Sequence, residues 1–371
     1  MPKIKRFIEC LLPVTACNLK CDYCYVIQEN RRSNKIPKLR YSPQHIAKAL
    51  SKERMGGICY ISICGAGETL LPDYIIDIIH ELLKEGHYIN ITNNGTMTAR
   101  LKEICKIDKK LLAHLHFAFS LHYIELQKAK LLNTFFENVK LVRDAGCSFL
   151  VQFNLYDGYI PYLNDIKDIC IKNLGALPQI AATRDESKND YELYTSYNRQ
   201  GYMDLVKDFK SPLFDFTMNN FMIKRKEYCY AGDWSFLLNL ETGIMTKCYC
   251  NTENQINIFD DIEKEIPFEA VGKKCKHSFC VNSSHFLSLG VIPKIKCPSY
   301  ADLRDRKEAN WYSDEMRAFL TQKLGDGNKE YGFIKKVKIA VPSSKELRAS
   351  LAEKKAYQKL HTLKSKVIGK K

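Results

Sequence analysis

No stretch of the chain comes near the roughly 18 consecutive apolar residues that a membrane-spanning helix needs, so nothing in it reads as a helical span. There is no internal repeat, which argues against solenoids and propellers, and no low-complexity run of the kind that stays unfolded. A complete secretion signal is missing too. Lys3, Lys5 and Arg6, the apolar stretch 7–16 and Cys17 imitate one, but Glu9 and Pro13 interrupt that stretch. It reads better as a buried strand. The 371 residues, 45% apolar and 27% charged, suit a globular chain of about two domains with a real core.

Cysteine, by contrast, is plentiful, at fifteen residues. With no credible secretion signal and with tight local spacings, metal binding in a reducing cytoplasm is the better reading than disulfides. Cys10, Cys59, Cys64, Cys105, Cys147 and Cys170 lie in apolar surroundings and read as small core residues. Three others stand within eight residues, Cys17-Asn-Leu-Lys-Cys21-Asp-Tyr-Cys24. Thiolates this close in sequence can converge on one metal centre. Iron–sulfur cubanes normally take four Cys ligands, and three leave one iron open. A zinc knuckle is the alternative; its fourth ligand would have to come from His45, Cys59 or Cys64.

The net charge of +15 is uneven. Residues 335–371 hold twelve Lys/Arg against two Asp/Glu, a net +10, leaving about +5 for the other 334 residues. Lys354, Lys355, Lys359, Lys364 and Lys366 have only Tyr357 and His361 among them, so base stacking is poorly provided and a solvated helix face is the expected reading.

From residue 7 to about 184, β-rich runs alternate with amphipathic helical ones. Strands are expected at 7–14, 58–63, 88–92, 115–121, 149–155 and 179–183, and helices near 43–53, 72–85, 99–105, 125–145 and 162–174. Six βα units imply a parallel sheet with right-handed crossovers and an active site at the C-terminal strand ends. Six are too few for an eight-stranded barrel.

The CxxxCxxC spacing, Tyr23 before its last Cys and the short strand ahead of it resemble the signature of the radical S-adenosylmethionine (SAM) superfamily. The resemblance implies an α/β fold. A partial (β/α)6 barrel (5–187) leads through a linker with one or two helices (188–227) to a small cysteine-rich SPASM/twitch-like domain (228–300). A helical basic C-terminal extension (301–371) follows. It implies a [4Fe-4S] cluster on Cys17, Cys21 and Cys24 whose open iron is chelated by SAM, and a one-electron reductant such as flavodoxin or ferredoxin. The enzyme would cleave SAM to a 5′-deoxyadenosyl radical that abstracts hydrogen from the substrate. Gly65-Ala66-Gly67-Glu68-Thr69 is similar to the family's Gly-Gly-Glu-Pro motif for the SAM amino group, departing from it at Ala66 and Thr69. Thr92-Asn93-Asn94-Gly95-Thr96 looks like its Thr-Asn-Gly-Thr turn with one residue inserted. Ser120, Asn154 and Arg184, at the ends of strands four to six, would meet the ribose and carboxylate. His116 and His122 flank strand four and are expected to be structural.

Cys229, Gly243 and Cys248 have the Cys-x13-Gly-x4-Cys spacing of SPASM and twitch extensions, on a β-hairpin turning at Glu241-Thr-Gly243. With Cys275 and Cys280 they would hold one auxiliary [4Fe-4S] cluster, with Cys250 and Cys297 as spare candidates; a structural zinc ribbon is the alternative. Only about six residues precede strand one, which moves the expected substrate from a peptide toward a small molecule or carbohydrate. The rival reading is a non-catalytic metal-stabilised protein whose basic tail contacts nucleic acid or an acidic partner.

Overall fold

The computed structural model describes residues 1–188, 192–253, 255–273 and 275–340; the basic segment from 341 onward, with Lys354 to Lys366, lies outside them. The described residues are mixed α/β around one nine-stranded, mostly parallel sheet. Six βα units supply β1 (Arg6–Leu12), β2 (Cys59–Gly65), β3 (Tyr88–Asn93), β4 (Leu115–Ser120), β5 (Ser148–Leu155) and β6 (Gln179–Ala182), each parallel to the next. These strands are almost wholly buried, as a parallel sheet covered by its crossover helices must be.

Two helices divide where one was expected. The 125–145 stretch forms Tyr123–Lys128 and Leu132–Asp144, because Lys130 turns left-handed at φ 57° between them. The 43–53 stretch breaks before Ser51, whose side chain caps a second helix, Lys52–Met55.

One rung of the sheet is polar. Glu9, Ser62, Asn90 and His116 are register neighbours on four adjacent strands, all buried. His116 Nδ1 donates to Asn90 Oδ1 (2.7 Å), Asn90 Nδ2 to Ser62 Oγ (3.2 Å), and Ser62 Oγ to Glu9 Oε1 (3.1 Å). The donors all run one way, toward the Glu9 carboxylate, and such aligned bonds polarise one another.

The second cysteine-rich region continues the same sheet. β7 (Ser235–Asn239) pairs parallel to β1, and β8 (Ile244–Thr246) and β9 (Ile256–Asn257) add antiparallel. Gly243 makes the β7–β8 turn at φ 73°. The linker, expected to hold one or two helices, carries Arg199–Asp204 and Pro212–Asn220, which bury Tyr202, Phe214 and Met218. Ser211 Oγ both caps the second helix and ties it to β6 through Ile180 N and Gln179 Oε1.

Residues 300–327 are part of the core. Trp311 packs on Phe149, its carbonyl accepts the Phe149 amide (2.9 Å), and its indole donates to Leu174 O. The Arg306 guanidinium donates to the carbonyls of Leu177, Pro178, Phe209 and Lys210. Buried Arg and Trp groups need such partners, and finding them here fixes the extension against the barrel.

Candidate functional site

The loop after β1 is zipped to the loop after β2 through the backbone. Ala66 N donates to Leu12 O, Gly67 N to Val14 O (2.5 Å) and Glu68 N to Ala16 O (2.9 Å). A Cβ on Gly67 would overlap the Ala16 carbonyl, so only glycine permits this approach. The contact presents Cys17, Cys21 and Cys24 to a cavity of about 320 Å³ at the C-terminal ends of the strands. Arg32 steadies the cysteine loop by donating to the carbonyls of Cys17 (2.6 Å) and Leu19 (3.0 Å).

Cys21 is buried and Cys17 half-buried, and burial pushes both thiols above their ordinary range. Neighbouring cysteines raise Cys21 further. Such thiols carry charge only against a cation, and an iron cluster is one. Among the described residues no three His, Cys, Asp or Glu side chains close tightly enough to hold a single metal ion. A cubane instead takes each thiolate at a separate iron.

The rest of the wall comes from the strand ends. Gly65, Ala66, Gly67 and Glu68 line it after β2, Asn93 at the end of β3, Ser120 on β4, Asn154 on β5 and Arg184 after β6, with Tyr23 beside the cysteines. Ser120 Oγ and the side-chain amides of Gln152 and Asn154 have no hydrogen-bond partner among the described residues, and all three are on this wall. Glu68, on the wall where an ammonium contact was expected, also holds the loops in place. Its Oε1 accepts Leu70 N and its Oε2 accepts Asn94 N, both at 2.9 Å, clamping the β2 and β3 loops together. Burial raises its pKa to about 7 against those two bonds. Asn93 likewise spends its side chain on its own turn, bonding Ile91 O and Gly95 N. Arg184 is ion-paired with Glu186 at 2.8 Å.

Tyr23 is anchored away from solvent. Its hydroxyl is 2.6 Å from His122 Nδ1 and 3.1 Å from Tyr159 Oη, and its ring packs on Tyr156. Burial lowers the His122 pKa to about 4, so the ring is neutral at pH 7. His116, fully buried, belongs to the polar rung; its pKa falls to about 3, chiefly through burial.

Cys229, Cys248, Cys275 and Cys280 are brought together around a second, apolar pocket of about 40 Å³, and Cys250 and His277 join them. Burial raises the Cys229 thiol to about 12. Cys250 is held below the ordinary thiol range by its hydrogen bond with Cys248. Cys297 is elsewhere, its Sγ 2.8 Å from Leu287 O and 3.7 Å from Lys323 Nζ.

A third chamber, of about 280 Å³, shares Cys64, Thr92, Gln152 and Arg184 with the strand-end cavity and Tyr249 and Cys280 with the second cysteine pocket. Glu9, Asn282, His285 and Arg304 contribute its polar wall. Sequence reading passed over all four. Glu9 had left a signal, as a charged residue inside a strand otherwise apolar from 7 to 12; the others lie far away in the chain.

The search of curated proteins found no match to the chain. Among solved structures, SuiB of Streptococcus suis bound to S-adenosylmethionine is 14% identical, covers 71% of this chain and 67% of its own, and superposes with a TM-score of 0.50. Histidine-tagged anSMEcpe with bound AdoMet is 16% identical over 93% of this chain and 98% of its own, with a TM-score of 0.51. At such identities the likeness is one of fold. The model of the Radical SAM superfamily matches residues 11–161, from β1 through the cysteine loop and β5. Residues 11–161 thus match a Radical SAM domain.

Proposed function

We propose that the protein is a radical SAM enzyme with a SPASM/twitch-like auxiliary iron–sulfur site, acting in a reducing cytoplasm on a small molecule, carbohydrate or peptide. One observation carries the reading: the three cysteines of CxxxCxxC face the strand-end cavity, opposite polar side chains without protein partners. A [4Fe-4S] cluster on Cys17, Cys21 and Cys24 with SAM at its open iron supplies one-electron cleavage of the sulfonium and hydrogen abstraction from an unactivated carbon.

The chain's own residues supply placement. Gly67 lets the β2 loop close on the cysteine loop, and Glu68 fixes that loop to Asn94. Ser120, Gln152 and Asn154 offer hydrogen bonds to the polar parts of SAM, and Arg184 a cation toward its carboxylate. The five cysteines around the second pocket suit one auxiliary cluster, with Cys250 as well placed as the four of the hairpin reading. A reductant of the flavodoxin or ferredoxin type would deliver the electron. The chamber between the two cysteine sites admits a group the size of a side chain or a single sugar, which leaves a free small molecule and a peptide side chain both open.

The decisive measurement is made without oxygen. The reconstituted protein, given SAM and a strong one-electron reductant, should release 5′-deoxyadenosine slowly without substrate. The variant with Cys17, Cys21 and Cys24 all changed to Ala should release none. A fully iron-loaded wild type that makes no deoxyadenosine rejects the proposal.

A further inference from the structure

The chamber between the two cysteine sites contains a carboxylate–imidazole pair. His285 Nδ1 lies 3.2 Å from Glu9 Oε2. Nδ1 faces both Glu9 Oε2 and, at 3.0 Å, the Asn282 amide nitrogen; the charged carboxylate is the stronger partner, so the proton belongs on Nδ1 and the lone pair on Nε2. Among the described residues Nε2 has no hydrogen-bond partner, and it is not fully enclosed. The ring is on the chamber wall with 19% of its side chain exposed.

Glu9 itself is held from both sides. Oε1 receives the hydrogen-bond chain from His116 through Asn90 and Ser62. Oε2 receives Asn282 Nδ2 at 3.2 Å, with that amide also 3.0 Å from His285 Nδ1. The imidazole is further framed by Tyr300, 5.5 Å away between ring centres, and by Arg304, which donates to Ser284 O. Burial lowers the His285 pKa, so the ring is ready to accept a proton at pH 7.

The geometry points to His285 as the proton acceptor for the substrate, oriented by Glu9, with Nε2 receiving a proton-bearing heteroatom of the molecule in the chamber. This assignment rests on the radical SAM reading for its reaction. In the transfer the substrate's X–H bond breaks, its electron pair stays on X, and an Nε2–H bond forms. Glu9 then faces an imidazolium and offsets its charge. A positioned acceptor of this kind contributes on the order of 10²–10⁴-fold to a rate.

The test labels the iron-loaded protein, without SAM, with diethyl pyrocarbonate at neutral pH and maps modified histidines by peptide mass spectrometry. His80, half-exposed on the helix Ile75–Lys84, is the internal reference, and buried His116 the silent one. His285 should be labelled. Glu9→Leu should reduce that labelling severalfold, because the ring loses the acceptor that keeps its proton on Nδ1. His285→Asn, which keeps a donor toward Glu9 but no Nε2, should fold and show no adduct at that peptide, with deoxyadenosine release from SAM followed beside the wild type. An unlabelled His285 beside a labelled His80, or a folded Glu9→Leu protein labelled as fast as wild type, overturns the assignment. Loss of deoxyadenosine release in His285→Asn alone also overturns it, by placing the ring in SAM cleavage. Its absence from wild type and variant alike is the failure of the functional reading, and the labelling then still judges the pair.

Discussion

Tyr88 on β3 and Phe319 in the C-terminal helix Asp314–Thr321 stack face to face, their ring centres 3.5 Å apart and their planes within 8°. Both rings are fully buried. A residue 231 positions downstream thus packs on the third strand of the sheet. Phe319→Ala should destabilise the protein by about 3–5 kcal/mol, the usual cost of emptying a buried aromatic site. Denaturant unfolding followed by near-ultraviolet circular dichroism measures it, and a loss under about 1 kcal/mol would show that the extension is not part of the cooperative core.

A chain ending at Ala340 should keep its fold, both iron sites and substrate-free SAM cleavage. The cut leaves Ile339, which is buried and lies near Gly272 and Tyr228, and the Lys336–Glu330 pair at 2.9 Å. A chain ending before Tyr300 should aggregate. Iron content and deoxyadenosine release on the two truncations separate the cases, and equal behaviour would contradict the packing of residues 300–327.

Gly67→Ala should cost the first cluster while sparing the second. The added methyl meets the Ala16 carbonyl, and the backbone pairing that presents Cys17 must open. We expect about half of the iron to be lost, and SAM binding with it, in a protein of wild-type circular dichroism. Full iron content with normal SAM affinity would show that the loop pairing is dispensable.

The cysteine sites allow a sharper test. Cys297→Ala should leave the iron content unchanged, since Cys297 is outside the second pocket. Cys229→Ala should remove roughly half of it. Cys250→Ala should also disturb the second site, being one of its five wall thiols. Zinc in place of iron at that site would refute the auxiliary-cluster part of the proposal.

Acid should unfold the protein early. His87 is buried and neutral, its Nδ1 accepting Cys59 N and its Nε2 donating to Leu50 O. Burial, its largest cause, lowers its pKa to about 4 and that of His116 to about 3. Both folded values are below the unfolded one, near 6.5. The stabilisation is therefore complete above about pH 6.5 and falls progressively as pH drops toward the folded values, by up to about 1.4 kcal/mol per pH unit for each ring. Unfolding free energies measured at a series of pH values should show this slope, and His87→Gln should remove one proton from it. A flat profile from about pH 6.5 to 5 would refute the neutral buried pair.

The amino-acid sequence by itself determined the local features. Alternating apolar runs placed six barrel strands within about two residues of their observed ends, because a buried parallel strand announces itself by its own composition. The spacing of Cys17, Cys21 and Cys24 was legible for the same reason: three ligands in eight residues need no distant partner. Gly243 marked its hairpin because only a left-handed turn residue fits there. Tertiary structure alone decided what depends on separation in the chain. It made Glu68 a clamp between two loops, because the Asn94 amide it holds is brought close only by folding. It seated Trp311 and Phe319 in the core, since the apolar stripe Met316, Phe319 and Leu320 shows which face of its helix is buried but not against what. It also joined Glu9 to His285 across 276 positions. That pairing arises from sheet register and from the left-handed backbone at Asn282, and neither leaves a pattern that a window of sequence can display.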